Sequence, residues 1–252
     1  MSLDLADILK HGFEKVKNSA GLKLIVVYFF VTGLLQIATA SFFTVMMEKL
    51  FPSMMGASKV QSTLQQQTPL ALIDSVAASS LLGILAFLAS IILFITAIRT
   101  FLEGKEESIP KRFYAEDLLR PGINTAIGGL VVAILVGLGL LAFIVPGIYL
   151  GLALMFFTVY IVDKDLNFLD AMKKSWHITK GHKIELFILL IILSAINGAI
   201  GFGTGLVSGI FSGNVLQRAL VGELIIRGLT TSFTTIFSWA VVVEAYERLE
   251  KG

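Results

Sequence analysis

Lys173, Lys174, His177 and Lys180 gather along one side of a short segment whose other side carries Phe168, Leu169, Met172 and Trp176. Cations opposite an aromatic-apolar stripe suit an anionic lipid headgroup or a docking partner, and each Lys or Arg near such a surface contributes ~1 kcal/mol. The bland alternative is a helix that only anchors the chain at the membrane boundary. A second pattern is Asn197 followed by Gly201, Gly205, Gly209 and Gly213, every fourth residue. Small residues at this spacing let membrane helices approach closely, and Asn197 would mark a groove if lipid entered there. A third is Glu223 and Arg227 at i, i+4, followed by Thr231, Thr234 and Ser238, the most polar face among the apolar runs. It reads as a rim ion pair above a polar path, or as hydroxyls bonded to their own helix.

Enzyme chemistry is not expected. The chain has no cysteine, which removes thiolate nucleophiles, disulfides and thiolate metal sites. Its three histidines have no ligand spacing, and no HExxH, GxSxG or P-loop pattern occurs. Gly137–Ala142 formally fits a dinucleotide fingerprint but lies inside an apolar run with no preceding strand. Asp163, Asp165 and Asp170 read as a solvated loop with a capping aspartate. No catalytic residue, cofactor or metal is assigned.

The elements that position these residues are membrane helices. The 252 residues are 56% hydrophobic and only 15% charged, with a mean hydropathy of +0.85, against roughly 25% charged in soluble domains. A net charge of +2 is too balanced for a nucleic-acid footprint. A crossing helix needs ~20 apolar residues. Spans are expected near 22–47, 76–102, 122–145, 147–162, 184–212 and 224–246, with interfacial helices at 3–18 and 167–180, all in one membrane domain, 1–252. The first is read as uncleaved although Ala38-Thr39-Ala40 imitates a peptidase site. Gly122–Val162 carries no formal charge over 41 residues, enough for two crossings with a turn at Pro146-Gly147. The fold class is all-α: a polytopic bundle of six transmembrane helices with amphipathic interfacial helices on the cytoplasmic side. Sixteen of the 20 Lys and Arg then fall on one side, which places both termini in the cytoplasm of a cell membrane. No ionisable residue sits near a span centre, which argues against ion-coupled transport.

The segment before the first span repeats before the fifth. Asp7, Leu9, Lys10, Gly12, Phe13 and Lys17 align with Asp170, Met172, Lys173, Ser175, Trp176 and Lys180 at a constant offset of 163 residues. A degenerate third copy is read in Tyr114, Leu118 and Leu119 with Lys111, Arg112 and Arg120.

Phe143-Ile144-Val145-Pro146-Gly147-Ile148-Tyr149-Leu150, with Ala171, Ser175-Trp176 and Lys180-Gly181 after it, resembles the "PGIYL … A-x-x-x-S-W-x-x-x-K-G" pattern of a group of poorly characterised membrane proteins. That group includes the membrane domain found beside glycerophosphodiester phosphodiesterases and related six-span bacterial and archaeal families. The likeness covers about 40 residues closely and implies a six-span fold near lipid chemistry. The phosphodiesterase barrel itself has no room here, since it needs roughly 250 residues of its own. The expected function is to bind, organise or help move lipids or other amphiphiles, without catalysis. The alternatives are a small-solute pore along the Ser/Thr face and a scaffold subunit docking through the glycine stripe. The expected partners are membrane lipids, a second copy or another membrane protein, and no nucleic acid.

Overall fold

The computed structural model describes residues 3–50, 71–211 and 216–251, with side-chain surroundings for 3–50, 71–206 and 225–251. Ten helices occur among them. They are α1 (Leu5–Lys17), α2 (Ser19–Leu50), α3 (Val76–Leu102), α4 (Arg112–Ala115), α5 (Leu119–Ala142), α6 (Ile144–Ala153), α7 (Phe157–Lys164), α8 (Phe168–Ile178), α9 (Lys183–Phe211) and α10 (Leu216–Lys251). Six stretches are long and apolar enough to cross a membrane: α2, α3, α5, α6 with α7, α9 and α10. The protein is an all-α, polytopic transmembrane bundle. Its apolar side chains point outward as freely as inward; Leu130, Ile134, Leu138 and Leu141 of α5 are all exposed, as lipid-facing positions are.

Two compact units divide the chain, Val27–Ser90 and the remainder. In the smaller, Ser41 Oγ accepts the Leu72 and Ile73 backbone N–H groups at 3.0 and 3.1 Å, and Gly83 lies against Ala38. The outer segment expected between the first two spans, Glu48–Ser75, lies outside the described residues from 51 to 70.

In the larger unit, one set of helix ends is laced by polar contacts. The Ala20 N–H donates to Glu106 O at 3.0 Å and Lys23 Nζ to Glu107 O at 2.9 Å, tying the start of α2 to the segment after α3. Tyr160 donates to Glu250 and Tyr246 to Asp163, each at 2.7 Å, tying the end of α7 to the end of α10. These ends share a face because the chain crosses an even number of times between them.

The repeat is structural. Asp4 caps α1 by accepting the Asp7 N–H, and Asn167 caps α8 by accepting the Asp170 N–H; these caps are themselves 163 residues apart. Ile8, Gly12 and Val16 are buried on α1, and their counterparts Ala171, Ser175 and Thr179 are buried at α8. Both segments dock by an i, i+4, i+8 stripe with a small residue in the middle, where a larger one would hold the helix away. At Gly12 a Cβ would lie 2.5 Å from Val241 Cγ2.

Two expectations change. The turn between the third and fourth spans falls at Phe143, extended at φ −159°, and not at Pro146-Gly147. Pro146 sits in the first turn of α6, where the missing N–H has no intrahelical partner to lose. The third copy of the interfacial segment shrinks to the single turn of α4, because Pro110 precedes it and Asp117 takes a left-handed conformation after it, at φ +49°.

Candidate functional site

The fourth span is broken, which the sequence reading missed. Between α6 and α7 the backbone tightens to i→i+3 bonds, Met155 N–H to Leu152 O and Phe157 N–H to Leu154 O. An unbroken helix would instead join the Phe156 N–H to Leu152 O and the Phe157 N–H to Ala153 O. Ser175 takes both vacated positions. Its Oγ accepts the Phe156 N–H at 3.1 Å and donates to Ala153 O at 2.9 Å, fully buried. Thr179 Oγ1 lies 3.4 Å from the same carbonyl. Within a membrane, freed backbone groups survive only when a neighbouring segment satisfies them. The α8 segment is therefore a structural wedge in the span as well as an interfacial helix.

Docking by its small-residue stripe leaves the rest of α8 outward. Lys173, Lys174, His177 and Lys180 are all exposed. Lys173 reaches only Asp170, at 3.4 Å and with its side chain 78% exposed. The Asn167 amide, and then Lys173, hold the Asp170 carboxyl below the usual carboxylate range. The cap of this helix is Asn167, so Asp170 answers the cap and does not form it. Of the expected apolar stripe, Phe168 and Met172 are half-buried while Leu169 and Trp176 are exposed. Trp176 stands edge-on to Tyr149 at 5.6 Å. The Lys183 ammonium sits 4.7 Å from the Tyr149 ring centre and 5.5 Å from that of Trp176, within cation–π range. Tyr149 and Trp176, both in the quoted motif, thus meet over one cation.

Gly201 and Gly205 of the glycine stripe meet no neighbouring helix among the described residues. A Cβ at Gly201 or Gly205 would meet nothing within 4 Å, and Asn197 donates to Leu193 O of its own helix at 2.8 Å. The same openness holds at Gly129, Gly137 and Gly151. Close approach occurs at Gly139 and Gly147, where a Cβ on Gly139 would lie 2.9 Å from Gly147 Cα. Gly209, Gly213 and Glu223 lie outside the residues whose surroundings are described, and Arg227 is exposed.

On α10, Thr234 donates to Thr231 O at 3.1 Å and Ser238 to Thr234 O at 2.7 Å. Ser232 likewise donates to Gly228 O. These hydroxyls are committed to their own helix, and Thr231 is exposed.

The N-terminal interfacial helix is fastened by charge as well. Lys15 Nζ lies 3.0 Å from Glu244 and 3.1 Å from Glu247, and Arg248 joins Asp7 at 2.5 Å and Glu244 at 3.0 Å. Phe13 meets Phe233 and Phe237 edge-on at 6.5 Å. Lys15→Ala would leave two partly buried carboxylates short of a cation and is expected to weaken α1 docking by about 1–2 kcal/mol. Faster protease cleavage within residues 5–17 would report it, and an unchanged rate would contradict it.

Against this geometry the comparisons are brief. The pattern of one family, a domain of unknown function (DUF7847), matches residues 3–249. The chain belongs to this family. No curated protein and no solved structure matches it. The match spans both interfacial helices and all six spans of this DUF7847 protein, so the repeat and the wedge lie inside the family's own unit.

Proposed function

We propose that this multi-pass protein sits in the cell membrane with both termini in the cytoplasm. There it binds and organises anionic lipid, or helps move such amphiphiles, without catalysing a reaction. One observation carries the reading: α8 docks through Ala171, Ser175 and Thr179 and leaves Lys173, Lys174, His177 and Lys180 exposed beside Trp176. Cations over a half-sunk tryptophan are the arrangement that holds an interfacial helix on charged headgroups. The exposed Lys10 and Lys17 of α1 extend the same chemistry to the repeated segment. The four-to-one excess of Lys and Arg on this side supports a cytoplasmic face. The likeness of residues 143–181 to the membrane domain beside lipid phosphodiesterases supports lipid as the partner by analogy.

The test is Lys173→Glu with Lys174→Glu. At ~1 kcal/mol per cation, removing both charges weakens binding about thirtyfold, and reversing them weakens it further. Native mass spectrometry with phosphatidylglycerol should record fewer retained adducts at unchanged helicity. Equal retention by wild type and variant would remove the site.

A further inference from the structure

A second lipid-sized site adjoins the start of α8, where Asn124 on its wall accepts the Phe168 N–H at 3.0 Å. A cleft of about 780 Å³ opens between the first turn of α5 and the end of α7, lined by Arg99, Asp117, Arg120, Asn124 and Asp165 on its polar side and by Leu119 and Ile123 on its apolar side. A pocket of about 430 Å³ adjoins it, sharing Arg99, Asp117 and Val162 and adding Glu103, Arg112, Glu116 and Asp163. Both volumes lie in the range of small-molecule sites, roughly 300–1,000 Å³.

The two compartments differ in charge. Arg99 is held by four backbone carbonyls and by no carboxylate among the described residues. Its NH1 donates to Arg112 O, Phe113 O and Glu116 O at 3.4, 3.3 and 3.1 Å, and its NH2 to Asp117 O at 3.0 Å. Carbonyls orient a guanidinium without cancelling its charge. Arg120 reaches Asp165 at 2.6 Å, with both side chains more than half exposed. The first turn of α5 has no side-chain cap; Pro121 brings no N–H, so the Leu119 and Arg120 amides are the donors its start offers to an anion. The cleft matches two arginines with two aspartates, whereas the adjoining pocket is acidic. Four carboxylates face Arg99 and Arg112, and those of Glu116 and Asp117 pair with no cation among the described residues. The apolar wall continues into the membrane: Leu119, Ile123, Ile127, Leu130 and Ile134 are all exposed and run down one side of α5.

We propose that this double cleft binds one phospholipid with a zwitterionic headgroup. The phosphodiester sits at Arg99, Arg120 and the start of α5. A primary ammonium enters the pocket of Glu116 and Asp117, and an acyl chain lies along the Leu119–Ile134 side of α5. A purely anionic lipid would bring its phosphate but leave the acidic pocket unanswered, and discrimination would follow from that mismatch.

The experiment is native mass spectrometry of the full chain in mild detergent, titrated with dioleoyl phosphatidylethanolamine or dioleoyl phosphatidylglycerol. Wild type should retain a phosphatidylethanolamine adduct through activation that strips phosphatidylglycerol from this cleft. Arg120→Gln, at an exposed position where the ion pair adds little stability, should weaken that adduct about tenfold, the effect of losing one charged partner. Glu116→Gln with Asp117→Asn should invert the preference toward phosphatidylglycerol; asparagine tolerates the left-handed backbone at position 117. Lys173→Glu with Lys174→Glu should leave the phosphatidylethanolamine adduct intact, so failure of the α8 reading and failure of this one are told apart. Equal retention of the two lipids by the Lys173→Glu, Lys174→Glu protein, or indifference of the adduct to both cleft variants, would overturn the proposal.

Discussion

Ser175→Ala is expected to destabilise the protein by about 2–4 kcal/mol. The residue is fully buried, and its Oγ serves the Phe156 N–H and Ala153 O, two groups that the break in the fourth span leaves without helical partners. Each buried group left unsatisfied costs about 1–3 kcal/mol. Thr179 Oγ1, 3.4 Å from Ala153 O, can recover part of the carbonyl's loss, but no neighbouring acceptor is placed for the amide. Thermal unfolding in detergent, followed by helicity, measures the difference. Ser238→Ala is the internal control: that hydroxyl donates to Thr234 O of its own helix, a carbonyl already bonded within the helix, and the change should be nearly neutral. Equal effects at the two positions would mean that Ser175 does not hold the break.

Gly147→Ala should be comparably severe, at about 3 kcal/mol, near the upper end of what overpacking costs. The added Cβ would lie 2.4 and 2.5 Å from Leu140 Cγ and Cδ2 and 2.6 Å from Leu140 N. The side chain could swing away, but the backbone nitrogen belongs to the facing helix, so the turn between α5 and α6 would have to open. At Gly205, by contrast, a Cβ would meet nothing within 4 Å, and Gly205→Leu should leave the stability of the isolated chain unchanged. Unfolding midpoints of the two variants decide the matter. A destabilised Gly205→Leu beside a tolerant Gly147→Ala would return the close helix contact to the glycine stripe.

The contrast between those two glycines shows where sequence reasoning reaches its limit. The regular spacing of Gly201, Gly205, Gly209 and Gly213 is a stronger pattern than Gly139 with Gly147, which are eight apart and on different helices. Spacing says that a backbone can come close. It does not say that a neighbour is there. The hydroxyls of α10 make the same point: Thr231, Thr234 and Ser238 are polar in composition, yet at Thr234 and Ser238 the polarity is consumed within one turn.

The expected spans match the helices to within a few residues at most ends, and the repeat at offset 163 recurs in caps and docking stripes alike. Burial in a bilayer and the period of an amphipathic helix are properties of consecutive residues, readable without knowing any neighbour. Sequence by itself therefore determined the all-α class, the six helices long and apolar enough to cross, the two short amphipathic helices and the cationic side of α8. Only the tertiary structure decided what those helices hold. That Ser175 completes the backbone of a span about 20 residues earlier, that Lys15 bridges Glu244 and Glu247, that Lys183 rests over Tyr149 and Trp176, and that Arg99 faces a cleft with Arg120 all depend on groups far apart in the chain. A hydrogen bond or an ion pair is a relation between two places. No local period encodes its second partner, so the wedge, the Lys15 ion pairs and the cleft emerge only when the helices have packed.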